Sequence, residues 1–307
     1  MLEIIGKTNI DFLGARRVAF TLSGAFVLTG LFALIQIGFG TANLSIDFTG
    51  CASVQVSFDQ SIQMARVRAI LEQAGLQHAE LQQSVGGDRL LIRVKSSTSV
   101  EEKVTERIIP ILREALPERQ VTVESTSEIG PSIGEKLRQD ALIAIAISLV
   151  GIVLYISARF ELRFGIAAAL AMVHDILVVL GTFYLLNKEI TLLVVTALLT
   201  LAGYSLTDKV VVFDRIRENL RTRRHEGMNI IINNGINQVL SRTIVTSLTV
   251  VLVLIPLALF GGEVLHDFSL ALLWGVIIGT YSSVFVASPL LLVLPGGEGR
   301  LLAHRSR

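Results

Sequence analysis

The sequence predicts a membrane α-helical protein: a bundle of six transmembrane helices carrying a single α+β head. Three observations predict it. Mean hydropathy is +0.63, with 51% apolar and only 17% charged residues, a balance too apolar for an ordinary soluble domain. Six apolar runs reach the roughly 17 to 25 residues that cross a bilayer. One long polar stretch separates the first run from the second.

The runs fall at 18–39, 141–158, 164–186, 190–213, 244–260 and 268–294. The first is longer than the ~7 to 15 apolar residues of a signal peptide and no small-x-small site closes it, so it is expected to stay as an anchor. Lys and Arg gather at alternate ends of the spans: Lys7, Arg16 and Arg17; Arg159 and Arg163; Arg215, Arg217, Arg221, Arg223 and Arg224; Arg300, Arg305 and Arg307. Positive charge is retained on the cytoplasmic side during insertion, so both termini are expected there and the polar stretch on the other side. A net charge of +1 argues against a nucleic-acid partner. Cys51 is the one cysteine, which excludes an internal disulfide and reads as a small packing residue.

The polar stretch, about 43–134, changes period in an informative order. Residues 52–58 alternate as a strand, and 61–74 carry apolar residues at helical spacing with Gly75 just past the end. Two strand-like runs, 77–85 and 89–95, flank the turn signal Gly86-Gly87-Asp88. Residues 100–116 read as helix up to Pro117, and 120–125 as a last strand. The order β-α-β-β-α-β predicts a ferredoxin-like head. The head shows no catalytic constellation, no spaced metal ligands and no phosphate-cradling loop; His78 reads as a surface residue, and Asp59, Glu72, Glu80, Asp88, Glu101 and Glu102 as a solvated face. Two readings stay open for it: a contact for another macromolecule, through edge pairing of an extended peptide, or a structural cap.

The chemistry lies in the spans. Asp208 sits near the end of the fourth apolar run, where an ionised carboxylate is expensive without a partner or a role. The string from Gly203 to Leu220, GYSLTDKVVVFDRIRENL, runs unbroken from that run into a charged, helix-compatible segment. Gly203 and Ser205 are expected to loosen packing and admit water or a neighbouring helix. Lys209 points about 100° from Asp208 and is expected to snorkel to the headgroups. Arg242, expected to open the fifth helix, is the better partner, although its spacing also suits a topology charge. His174-Asp175 lies mid-way along the third span, and helical spacing sets Ala168, Ala171 and Thr182 on the Asp175 face, so the carboxylate should face the bundle. It reads either as a functional acid or as helix-packing glue. An acid compensated by a movable arginine suits proton-coupled conformational change, and a membrane potential supplies ~2.3 kcal/mol per charge per 100 mV.

Several of these strings together resemble the SecF branch of the SecD/SecF family, in the RND superfamily. They are Ile46-Asp47-Phe48-Thr49-Gly50, Gly130-Pro131-Ser132-Ile133-Gly134, Arg159-Phe160-Glu161, His174-Asp175, the Gly203–Leu220 string and Ser241-Arg242-Thr243. They occur in order and with matching spacing over nearly the whole chain. The resemblance implies an RND-type bundle with a periplasmic head, divided as cytoplasmic N-terminus 1–17, first span 18–39, head 40–137, further spans 138–294 and cytoplasmic tail 295–307, in the bacterial inner membrane. It implies SecD, the SecYEG channel, YajC and a translocating preprotein as partners, no cofactor, no metal, and no enzymatic site. Proton-motive force would drive preprotein movement and release on the periplasmic side. The family's membrane acid falls on Asp208 and its arginine on Arg242; Asp175 carries over as a third proton-coupling residue.

The chain departs from the family pattern at Thr207, Lys209 and Cys51, where Asn, Thr and Gly are usual. A cation at 209 implies an altered proton affinity of Asp208 or an altered path to water. Two other classes share some of this equipment. An intramembrane aspartyl protease also uses two membrane carboxylates, but its Gly-x-Gly-Asp signature is absent. A small-molecule RND exporter uses similar proton chemistry, but with larger porter domains and twice as many helices.

Overall fold

The computed structural model describes residues 8–39, 42–49, 51–60, 62–76, 79–83, 89–95, 104–128, 131–223 and 225–294. Lys7, Gly50, His78, the Gly86-Gly87-Asp88 turn, Glu101, Glu102, Gly130, Arg224 and everything from 295 onward lie outside the described residues. In chain order the elements are α1 (Arg16–Gly38), α2 (Ile46–Thr49), β1 (Cys51–Phe58), α3 (Met64–Gln73), β2 (Glu80–Gln83), β3 (Arg89–Lys95), α4 (Val104–Ala115) and β4 (Val121–Glu128). They continue with α5 (Pro131–Arg159), α6 (Leu162–Leu185), α7 (Leu192–Thr222), α8 (Met228–Phe260), α9 (Gly262–Ser282), a π-helical turn (Ser283–Ala287) and α10 (Ser288–Val293). The chain divides into two compact units, Leu44–Ile143 and the remainder.

In the smaller unit the four strands form an antiparallel sheet in the order β2-β3-β1-β4. Each long helix therefore links two strands that have a third between them. Val54, Val56 and Phe58 alternate onto the buried face of β1, where they pack with Leu90 and Ile92 of β3, Val67 and Leu71 of α3, and Ile108 and Leu112 of α4. This is the period-2 and period-3.6 patterning of the sequence converted into one core. Helix α3 ends in a Schellman motif: Leu76 N–H donates to Leu71 O at 2.8 Å and Gly75 N–H to Glu72 O at 3.1 Å, with Gly75 at φ +81°.

Among the described residues six helices are long and apolar enough to cross a membrane: α1, α5, α6, α7, α8, and the last span formed by α9, the π turn and α10. Helix α6 is the hub, with 72% of its apolar window buried against 6% for α5 and 17% for α8. Two glycine pairs let backbones approach closely. A Cβ on Gly181 would lie 2.7 Å from Gly30 N, and one on Gly30 would collide with the carbonyl of Leu177, so α1 and α6 cross backbone to backbone. Gly275 and Gly279, four apart on α9, face Leu201 and Ser205 of α7.

Helices α5 and α7 extend beyond their apolar runs, from Pro131 and to Thr222, and two further boundaries differ from the sequence expectation. Helix α8 begins at Met228, sixteen residues before the apolar run, because Ile231, Ile232, Gly235, Ile236 and Leu240 supply a helical buried stripe through a polar stretch. Ser241-Arg242-Thr243 therefore lies inside α8 and does not open it. The last span is not one regular helix. Pro289 has no amide to donate and its ring excludes the carbonyl four residues earlier, and the helix widens to a π turn over Ser283–Ala287. Ser288 Oγ donates to Ser283 O at 2.7 Å across that turn.

The start of α8 also holds the N-terminal segment. Asn233 Oδ1 accepts from Phe12 N–H and Asn237 Oδ1 from Ile10 N–H, both at 2.9 Å, and both asparagine amides donate back to Ile10 O at 2.9 Å.

Candidate functional site

Consecutive polar residues of three helices meet in the interior of the bundle. Helix α6 contributes His174 and Asp175, α7 contributes Ser205, Asp208 and Lys209, and the last span contributes Ser282 and Ser283; all are buried. Asp175 and Lys209 are sealed completely.

Lys209 Nζ donates to Asp175 Oδ2 at 2.7 Å, to Ser282 Oγ at 3.0 Å, and to Ser205 Oγ one turn back in its own helix. These three acceptors match the three N–H donors of an ammonium. Ser205 Oγ donates in turn to Asp175 Oδ2 at 2.6 Å, and His174 Nδ1 lies 3.0 Å from Asp175 Oδ1. Lys209 thus does not snorkel. In a helix the Cα–Cβ bond tilts toward the N-terminus, which on α7 leads away from the charged end and into the bundle, where Asp175 compensates the cation.

Asp208 faces a different part of the last span. Its Oδ2 accepts from Ser283 Oγ at 2.6 Å, and it is 9% exposed where Asp175 is 0%. Adjacent residues of α7, Asp208 and Lys209, therefore hold adjacent serines at the start of the π turn. Thr243 of α8 is buried close to the Asp208 carboxylate.

Arg242 is exposed and, among the described residues, forms no ion pair with Asp208. It lines a cleft of about 840 Å³ between α7 and α8 together with Thr207, Asp214, Arg215, Arg217 and Arg221. The cleft brings a polar, basic opening to the residue before Asp208. Gly203, expected to loosen packing beside Asp208, lies on the exposed side of α7, with nothing within 4 Å of a Cβ built on it. The close approach is made by Gly279, whose Cβ would lie 2.8 Å from Ser205 Oγ.

The sequence reading brought forward Asp175, Asp208 and Arg242 but missed Lys209, His174, Ser282 and Ser283 as members of one cluster. A signal for Lys209 was present: the tilt of its side chain lifts the ammonium about one turn, to the level of Ser205. For Ser282 and Ser283 no local signal existed, since the π turn sets their direction.

The chain is thus a helical membrane protein built around buried opposite charges, and comparison with known proteins specifies the class. The family profile for "Protein export membrane protein SecD/SecF, C-terminal" matches residues 110–296. A protein translocase subunit SecF from Thermodesulfovibrio yellowstonii is 49% identical over 296 residues, covering 96% of this chain and 97% of its own. One from Magnetococcus marinus is 41% identical over 306 residues, covering 99% and 97%. Among solved structures, the crystal structure of SecDF from Thermus thermophilus superposes with TM-score 0.83 at 34% identity, covering 95% of this chain but only 39% of that one. SecDF in its super-membrane-facing form gives TM-score 0.68 at 34% identity, covering 97% and 40%. The chain belongs to the SecD/SecF family of multi-pass protein-export membrane proteins.

Proposed function

We propose that this chain is a SecF-type subunit of a bacterial Sec translocase that, with a SecD-type partner, uses proton-motive force to promote preprotein movement and release on the periplasmic side. One observation carries the reading: a carboxylate, Asp208, is buried in the bundle on the Ser283 hydroxyl, beside a basic cleft lined by Arg242. Protonating Asp208 removes a charge that the low-dielectric interior otherwise has to compensate. Arg242, free of any ion pair among the described residues, is placed to respond. Asp175 belongs to the same proton-coupling set.

The smaller unit is a ferredoxin-like head, periplasmic in this reading, with both termini cytoplasmic and the spans in the inner membrane. The divisions are 1–17, 18–39, 40–137, 138–294 and 295–307. SecYEG, YajC and the preprotein are the further partners, and the chain works without a catalytic site of its own. The family membership and the small size of the head argue against an exporter half. The aspartyl-protease reading needs two carboxylates sharing one proton, whereas Asp175 is held by Lys209 and Asp208 by Ser283.

The test is translocation into inverted inner-membrane vesicles carrying the subunit with its SecD-type partner, with and without an imposed proton gradient. Asp208→Asn and Arg242→Met are expected to lose the gradient-dependent component while the complex still assembles. Wild-type behaviour in both would reject the reading.

A further inference from the structure

Asp175 has more around it than a packing role needs. Its two oxygens are divided between a histidine and a lysine: Oδ1 faces His174 Nδ1 at 3.0 Å, and Oδ2 takes Lys209 Nζ at 2.7 Å and Ser205 Oγ at 2.6 Å. An ion-paired carboxylate only accepts, so the proton of the ring sits on Nδ1. That leaves Nε2 as a bare acceptor. It is buried and, among the described residues, has no hydrogen-bond partner, in a side chain only 7% exposed. A buried ion pair is a poor source of stability, since a well-packed apolar pair of similar volume commonly does as well or better. An arrangement that adds an unsatisfied imidazole nitrogen to such a pair calls for another account.

Resting on the proton-coupled reading above, we infer that His174, Asp175 and Lys209 form a second proton-accepting unit, with His174 Nε2 as its port and Lys209 as the cation that protonation of Asp175 sets free. A proton taken up at Nε2 makes the ring an imidazolium. The Nδ1 proton then passes to Asp175 Oδ1, leaving a neutral imidazole protonated on Nε2 and a neutral carboxyl. The triad moves from net zero to net +1, and the added charge resides on a Lys209 that has lost its carboxylate. An uncompensated ammonium inside a membrane bundle is costly, so protonation gives α7 a reason to move against α6.

The surroundings suit such a unit. From α9, the Tyr281 ring centre lies 6.5 Å from that of His174, and its hydroxyl is engaged with Ala19 O and Ser23 of α1. Beyond Arg17, α1 carries no charged residue. On α7 the neighbouring charge is Asp208, held by Ser283 of the last span. The triad is therefore separate from Asp208 in its hydrogen bonds but joined to it through the backbone of α7 and the serine pair of the last span.

The experiment uses the vesicle assay with the assembled complex. His174→Asn keeps an amide donor near the Nδ1 position and removes the proton-accepting nitrogen. Asp175→Asn/Lys209→Met removes both charges together and avoids stranding one of them. Both are expected to lower the gradient-dependent component at least about tenfold, below the usual ~10² to 10⁴ of a proton-transferring group, and to flatten its dependence on pH. Wild-type amplitude and pH profile in either variant would overturn the proposal. If the double variant does not assemble, His174→Asn alone decides. Asp208→Asn run in parallel separates the two readings. Loss in Asp208→Asn with wild-type behaviour in His174→Asn rejects the triad alone, whereas wild-type behaviour in all three rejects proton coupling itself.

Discussion

Lys209 Nζ lies 2.7 Å from Asp175 Oδ2, and both side chains are buried, at 0% and 1% exposure. The pair ties α6 to α7 at the level of the α9 glycines, and Ser282 extends the tie to the last span. Three helices are thus fixed at one charged point, one residue away from the acid placed at the centre of the proposed function.

The bond from Ser283 to Asp208 makes the first prediction. Ser283→Ala is expected to destabilise the purified chain by about 1.5–3 kcal/mol in detergent unfolding, the range for a hydrogen bond to a charged group. Adding Asp208→Asn should cost less than the sum of the two single changes, by about 0.5–3 kcal/mol of coupling. Strict additivity would mean that the two side chains do not interact.

Two glycines of neighbouring spans should respond with opposite sign. Gly279→Ala forces a Cβ against Ser205 Oγ, which cannot rotate away without leaving Asp175; a loss of about 1–3 kcal/mol is expected from overpacking. Gly203→Ala meets open space and should gain up to about 1 kcal/mol from helix propensity. Thermal unfolding of the two variants side by side reads the difference.

Releasing the N-terminal segment is a third case. Asn233→Ala/Asn237→Ala removes the side chains that bond Ile10 and Phe12, at about 1 kcal/mol per hydrogen bond. Proteolytic cleavage within residues 8–15 should accelerate by at least about tenfold, while cleavage elsewhere is unchanged. An unaltered rate would mean that other contacts hold the segment.

Within the smaller unit, Leu112 is fully buried in the core shared by the sheet and both long helices. Leu112→Ala is expected to cost about 2–5 kcal/mol, measured as a lowered unfolding midpoint of that unit followed by hydrogen exchange of β1 and β3. A change below about 1 kcal/mol would mean that the core closes over the cavity.

Much of this structure was legible in the sequence because burial leaves a period. The alternation that marks residues 52–58 is the strand Cys51–Phe58, and the run read at 89–95 is Arg89–Lys95. Six spans could be counted for the same reason, although α7 and α8 run well past their apolar stretches, to Thr222 and back to Met228. Hydropathy marks where a helix is greasy, whereas amphipathic continuations such as 228–243 are set by the stripe they bury. The site was legible only in part. Asp175 and Asp208 stand out because carboxylates are rare in apolar runs, but the spacing that sets Lys209 about 100° from Asp208 suggests the headgroups for its ammonium and gives no sign of Asp175 on another helix. The glycines that bring α7 and α9 together carry no mark separating them from Gly203.

The π turn at Ser283–Ala287 divides the last span by rotational phase. An α-helix advances about 100° per residue, and the wider turn shifts that phase part-way along, so the span meets two environments in succession. Ala271 belongs to the cluster containing Val194 and Leu201, whereas Val284, Val286, Ala287 and Leu291 belong to the one containing Phe12, Phe164 and Phe213. Ser282 and Ser283 stand at the seam between these halves. Any small winding or unwinding of the turn would be transmitted to both serines together, and through them to a lysine and an aspartate that are neighbours in α7.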